Sequence, residues 1–321
     1  MNLWKTSLAT LLVAALALSA KAAELKVVTT FLPVYCWSAS VASGAAQVEN
    51  LMEGTVGPHE FQLTPSHLRK LNAADLVIYI GLELEPWLET MIENGSLKKG
   101  VRTLSLGERL DQKRLIPYGQ GGEHPDSEAE HDGHDHDADH DDHNDHKHGQ
   151  YDPHIWLDPV LAKECVAMIA EQLGQMDSEN AALFQKNAEA YSGKLDQLDK
   201  ELKEGLKGVQ DKPFYTQHDA FSYFNRRYGL KCAGVLQQVP DSDVSPRHLA
   251  ALLKKIRDEG VVAILLPSKS PDRLAERLAR DGNIRLGKLE TLETLDEQPL
   301  GRDTYERMMK ENLSSLLESL K

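Results

Sequence analysis

The sequence predicts an α/β protein of two small domains joined by a helical connector. Two observations carry this reading. Apolar runs of strand length alternate with helical patterns in both halves of the chain, and one long amphipathic segment lies between the halves. With 321 residues and 41% hydrophobic content the chain is long enough for about two cores of this kind.

Residues 1–22 stand apart from the fold. Lys5 gives a positive start, Leu8 to Leu18 is an apolar run of signal-peptide length, and Ala20-Lys-Ala22 fits a small-residue cleavage site. The run is too short to span a bilayer, and no Cys near the cleavage site offers a lipid anchor, so a soluble, exported protein is expected.

The N-terminal half, taken as 23–177, opens with a buried strand from Leu25 to Phe31 and a helix from Pro33 to Ser43. A second strand, Val48 to Met52, ends in the Gly54 to Gly57 turn. Thr64 is the expected cap of the next helix, with Pro65 at its first position. A strand at Asp75 to Gly81, a helix from Pro86 to Asn94, a strand at Val101 to Ser105 and a helix from Pro159 to Gln175 follow.

Between Gly119 and Gln150 the periodicity stops. Residues 123–148 hold eleven Asp or Glu against Lys147 alone, a net charge of −10 out of −14 for the chain. They also hold His124, His131, His134, His136, His140, His143, His146 and His148, eight of the thirteen histidines. Such a composition predicts a disordered His/Asp-rich loop. Imidazoles are neutral and able to bind metal above a pH near ~6.5. A mobile chain loses entropy on ligation, so the loop is expected to be a weak, secondary collecting or sensing site.

Ser178 is the expected cap of the connector, a helix over 178–209. Phe184, Ala188, Tyr191, Leu195, Leu198, Leu202, Leu206 and Val209 step by three or four and share one face. In the C-terminal half, 210–321, strands are expected at Pro213 to Gln217, Lys231 to Leu236, Val261 to Leu266 and Lys288 to Leu292. Helices are expected at Ala220 to Tyr228, Ser245 to Glu259, Pro271 to Arg280 and Asp303 to Leu320, the last capped by Asp303.

Outside the loop the chain is mildly acidic, with no basic stripe and few aromatics, which argues against nucleic acid as a partner. Cys36, Cys165 and Cys232 are too few and too scattered for a disulfide framework and read as inert thiols.

Three histidines occupy comparable settings: His59 in Gly57-Pro-His-Glu-Phe61, His154 in Tyr151-Asp-Pro-His-Ile-Trp-Leu-Asp-Pro159, and His218 in Thr216-Gln-His-Asp-Ala220. Open α/β sheets bind ligands beyond the carboxyl ends of their strands. His59 follows the second strand, His218 ends the first strand of the second half, and Asp296 follows the last strand. His154 enters from the loop before its helix. Three imidazoles and one carboxylate suit tetrahedral Zn²⁺ and give poor support to Ca²⁺ or Mg²⁺. Glu297, Glu60 or a water are alternatives for the fourth contact. Asp152, Asp158 and Asp219 either orient imidazoles from behind or serve turns and caps. His67 and His248 read as solvated.

Several of these motifs, in this order, resemble the substrate-binding proteins of zinc and manganese ABC importers over essentially the whole mature chain. The likeness rests on Gly57-Pro-His-Glu-Phe61 with Pro65-Ser66, Asp152-Pro-His-Ile-Trp-Leu-Asp-Pro159, His218-Asp-Ala-Phe221 with Tyr223-Phe224, Ser245-Pro-Arg-His-Leu249, and Tyr305-Glu-Arg-Met-Met-Lys310. It implies two lobes, each with a four-stranded, mainly parallel sheet, a long spine helix, and metal held between the lobes at His59, His154, His218 and Asp296. It also implies a periplasmic location, a membrane permease as partner, a possible metallochaperone, and a monomer.

In that family a His at the third ligand position accompanies zinc, and a Glu accompanies manganese or iron. His218 and the His-rich loop therefore point to Zn²⁺ as the carried ion. Two departures from the family pattern stand out. Ile264-Leu-Leu-Pro-Ser268 replaces a Phe-x-Glu-Pro pattern, and Gln298-Pro-Leu-Gly301 stands where many members have Asp-Pro-Leu-Gly.

Three His with one open position would also build a hydrolytic zinc. No HExxH helix or nucleophile elbow appears. A carrier is therefore expected rather than an enzyme, with a manganese or iron carrier, a hydrolase and a metal-binding adhesin as rival readings.

Overall fold

A computed structural model of the chain describes residues 24–52, 56–59, 61–118, 149–236, 246–268, 272–295 and 299–321. The expected signal segment, the loop 123–148 with its eight histidines, Asp296, Glu297 and Glu60 lie outside the described residues.

Eight strands form two separate sheets. The first holds β1 (Leu25–Thr29), β2 (Ala46–Asn50), β3 (Leu76–Tyr79) and β4 (Arg102–Ser105) in the order β2-β1-β3-β4. The second holds β5 (Phe214–Thr216), β6 (Cys232–Val235), β7 (Ala263–Leu266) and β8 (Arg285–Lys288) in the order β6-β5-β7-β8. All pairings are parallel, and pairs such as Val27 with Val48 and Tyr215 with Ile264 set the register. The central strands β3 (LVIY) and β7 (AILL) are buried along their whole length, as strands covered on both faces must be.

The helices are α1 (Leu32–Val41), α2 (Pro65–Ala73), α3 (Pro86–Glu93), α4 (Pro159–Met176), α5 (Ala181–Leu206), α6 (Ser222–Tyr228), α7 (Pro246–Asp258), α8 (Arg273–Gly282) and α9 (Thr304–Leu320). Most boundaries differ from the sequence expectation by one to three residues, and three differences have a local cause. The connector α5 starts at Ala181 with Asn180 in the cap position, because Asp177 takes the Asn180 amide (3.2 Å) and ends the preceding turn there. Asp303 does not cap α9 through its side chain; the Thr304 hydroxyl instead accepts the Gly301 amide at 2.8 Å.

The third difference is β8, which lies at Arg285–Lys288 rather than at 288–292. As an edge strand with Arg285 and Leu286 exposed, it carries no apolar run. The apolar residues that mimicked a strand, Leu289 and Leu292, belong to a buried loop. The free edge of β8 and of this loop is closed by α9. Ser315 bonds both the amide and the carbonyl of Lys288, and Asn312 bonds both the amide and the carbonyl of Glu290.

The principal core is continuous across both halves. It unites Val27 and Ile78 of the first sheet, Phe214 and Leu265 of the second, and the inner faces of α1, α4, α5 and α9. Every apolar residue assigned to the connector face from Phe184 to Leu206 is buried in it. The connector is thus also a core helix, and its 26 residues run about 39 Å along the molecule. Two satellite cores lie beneath α2–α3 and α7–α8. This shared core holds the two sheets in one relation, and their carboxyl-end loops meet at the site.

Candidate metal centre

Each site residue is delivered by a loop whose ends are anchored. His59 lies in the turn between β2 and α2. A reciprocal cap holds the start of α2: the Thr64 hydroxyl accepts the His67 amide at 3.3 Å, and His67 Nδ1 accepts the Thr64 amide at 3.2 Å. His67 is therefore occupied as a capping residue rather than solvated.

His154 is placed by Asp152, whose Oδ1 accepts both the His154 backbone amide (2.9 Å) and Nδ1–H (2.7 Å). Donation from Nδ1 fixes the ring and makes Nε2 the atom that faces the cluster. Asp158 serves instead as the cap of α4, accepting the Val160 amide at 2.8 Å and pairing with Arg227 at 3.3 Å. His218 follows β5, and Glu293 follows β8.

His59, His154, His218 and Glu293 each direct one ligand atom into a common point, and these atoms all lie within 4.8 Å of one another. Glu293 Oε1 is 3.5 Å from His59 Nε2, 3.3 Å from His154 Nε2 and 3.6 Å from His218 Nε2, and the last two nitrogens are 3.2 Å apart. These four separations are those of ligand atoms about 2.0 to 2.2 Å from a shared tetrahedral centre, the range of Zn–N and Zn–O bonds, and the remaining pairs lie within 4.8 Å.

Hydrogen bonding tells the same story. His59 Nε2 and Glu293 Oε1 are buried and have no hydrogen-bond partner. Orphaned buried polar atoms are costly, and a cation at the centre would satisfy both. Across the cluster, His154 is 2% exposed and Glu293 11%, whereas the His59 and His218 side chains are 25% and 38% exposed. The latter two rings therefore lie on the solvent side of the cluster.

The electrostatics are those of a proton-loaded site. Burial works against a charged His154, yet the charge and hydrogen bond of Asp152, with the nearby carboxylate of Glu293, raise its pKa to about 10. Burial likewise pushes Glu293 up, but the close imidazoles of His154 and His218 hold its carboxyl well below the usual carboxylate range.

The structure brings His59, His154 and His218 together. Asp296 lies outside the described residues, and among those described Glu293 provides the carboxylate of the cluster. The end of β8 at Lys288 is the physical reason that Glu293 reaches the centre. A strand that stops at Lys288 brings its loop to the centre at Glu293, whereas one that ended at Leu292 would favour a residue further on. The exposed charges at Arg285 and Lys288 were the available signal for an edge strand ending there.

Two parallel α/β sheets, with a three-imidazole, one-carboxylate cluster where their loops meet, define a two-lobed protein with a candidate metal centre between its sheets. The chain belongs to the family described as ZnuA, zinc-uptake complex component A, periplasmic, which matches residues 27–319.

Among curated relatives, it is 32% identical over 302 residues to the high-affinity zinc uptake system protein ZnuA of Bacillus subtilis (strain 168), covering 94% of this chain and 89% of that one. It is 31% identical over 297 residues to the zinc-binding lipoprotein AdcA of Streptococcus pneumoniae (strain ATCC BAA-255 / R6), covering 92% of this chain but only 56% of AdcA. Among solved structures, the Zn(II)-bound ZnuA-like domain of Streptococcus pneumoniae AdcA superposes with a TM-score of 0.72 at 29% identity, covering 92% of this chain and 99% of that one. No helix of the described residues is long and apolar enough to cross a membrane.

Proposed function

We propose that this protein captures Zn²⁺ outside the cytoplasm, in the periplasm, and delivers it to the permease of an ABC importer. The observation that carries this reading is the convergence of His59, His154, His218 and Glu293, four of whose ligand-atom separations, 3.2 to 3.6 Å, fit a shared zinc. The names of the relatives above support it.

In this reading the first sheet's loops present His59 and His154, and the second sheet's loops present His218 and Glu293. The ion arrives past the more exposed His59 and His218, loses its water, and displaces the proton held at His154. Four protein ligands fill a tetrahedral shell, which suits capture and leaves no open position for the activated water of a hydrolase. Three imidazoles and a single oxygen also favour zinc over manganese, which suits oxygen-rich sites.

The continuous core favours small loop shifts over wide domain closure. The permease would then recognise the loaded arrangement of the rim. The His-rich segment 123–148 fits a weaker collecting role beside the main site.

Metal analysis of protein purified without added metal, repeated on His218→Ala, tests the reading. One tightly held zinc per chain in the parent, lost in the variant, is the expected result. A parent that retains manganese and rejects zinc would overturn it.

A further inference from the structure

The loop that carries Glu293 is tied across the boundary between the two halves. The indole N–H of the fully buried Trp156 donates to the Thr291 carbonyl at 2.7 Å. Trp156 is itself held on three sides. Tyr305 donates its hydroxyl to the Trp156 carbonyl at 2.7 Å, Phe31 meets the indole edge-on with ring centres 4.9 Å apart, and the His154 ring lies 5.0 Å away. One residue thus joins the loop of His154 to the loop of Glu293.

Between the pinned Thr291 and Glu293 stands Leu292, buried in the core with φ +62°. Left-handed backbone is unfavourable for a residue with a Cβ, and it persists only where the surroundings enforce it. Other such residues among those described have local explanations. Asn283 ends α8, and Leu82 and Glu83 form the turn before Glu85, whose carboxylate accepts the Ile80 and Gly81 amides. Leu292 ends no helix. Its conformation turns the chain between an anchored carbonyl and a ligand carboxylate.

We propose that Trp156, Thr291 and Leu292 form a positioning arm that holds Glu293 as the fourth ligand. The Trp156–Thr291 hydrogen bond sets where the arm begins, and the left-handed Leu292 sets the direction in which Glu293 leaves it. Lys288 and Glu290 are bonded to Ser315 and Asn312 of α9, so the arm has a firm base on its other side. Because Trp156 follows His154 by two residues, the arm couples the geometry of one ligand in each half. The inference rests on the reading of the site as a zinc site and adds to it which residues, themselves not ligands, set the coordination.

Two substitutions at Leu292 separate positioning from packing. Leu292→Gly admits the left-handed backbone but discards the buried side chain, whereas Leu292→Val keeps apolar bulk but resists that backbone. Zinc affinity by competition with a chelator, the visible spectrum of the Co²⁺-loaded protein and the thermal midpoint are measured for both, and for Trp156→Phe, which keeps the ring and removes the N–H.

The expected result is that Leu292→Val and Trp156→Phe each lose about 10–100-fold in zinc affinity and show an altered Co²⁺ spectrum, the scale of losing an outer-shell support. Leu292→Gly is expected to stay within a few-fold of the parent with an unaltered Co²⁺ spectrum, even if its thermal midpoint falls. The reverse order at Leu292, or a Trp156→Phe variant with parental affinity and spectrum, would overturn the arm while leaving the zinc site standing. A parent chain that binds neither Zn²⁺ nor Co²⁺ would refute the site itself, and the arm with it.

Discussion

A single oxygen of Asp152 holds His154 twice, accepting its backbone amide at 2.9 Å and its ring Nδ1–H at 2.7 Å. This double grip sets the loop and the ring together, and it commits Nε2 to the cluster. The Asp152 carbonyl is in turn the acceptor for the Tyr223 hydroxyl at 2.8 Å, so the grip is braced from the other half of the molecule.

Removing that grip should weaken the site without removing a ligand. Asp152→Ala is expected to lower zinc affinity by about 10–100-fold, the usual cost of losing a carboxylate behind a metal-bound imidazole. Competition titration against a chelator of known affinity measures it. An Asp152→Ala protein with parental affinity would show that the tautomer is set by other means.

The pH dependence has a definite sign. His154 is raised to about 10 from its ordinary 6.5. Its protonated form therefore contributes stability to the metal-free protein that is fully present below about pH 6.5 and is lost as pH rises through about 10. Zinc needs the same nitrogen unprotonated, so affinity should climb with pH across that window. Calorimetry at about pH 8 in buffers of different ionisation enthalpy should report close to one proton released per zinc. Zero release at that pH would contradict the charge state assigned to His154.

The carboxylate of the cluster can be identified by a paired substitution. Glu293→Gln should cost about 3 kcal/mol, or roughly a hundredfold in affinity, because it removes the buried charge that faces three imidazoles. Asp296→Asn should stay within a few-fold of the parent. If the two variants exchange these behaviours, Asp296 is the ligand.

The continuous core predicts how the protein unfolds. Leu198 of α5 is 1% exposed within it, so Leu198→Ala should destabilise the chain by about 2–5 kcal/mol. Denaturant unfolding followed by tryptophan fluorescence and by circular dichroism should give one coincident transition in parent and variant. Two separated transitions would mean that the halves are independent.

Much of the fold was legible because its central strands are short apolar runs and its helices carry their own start signals. Pro65 after Thr64 and Pro159 after Asp158 mark the beginnings of α2 and α4 from composition alone. The three histidines could be singled out because each stands in a turn next to a recognisable element. Glu293 could not, since its reach to the cluster depends on where an exposed edge strand stops and on the left-handed turn at Leu292. The single core was also hidden. The stepping of Phe184 to Leu206 shows which face of α5 is buried, but not that both sheets share what it is buried against.

The pairing of Ser315 and Asn312 with the backbone of Lys288 and Glu290 has a bearing on how the protein behaves when crowded. Those side chains imitate a neighbouring strand, so the edge of β8 and of the loop after it is occupied at Lys288 and Glu290 and cannot pair there with another molecule. A protein that lost its last helix would bare that edge. Copies would then add to one another edge to edge, and such damage would show as filaments as well as a missing ion.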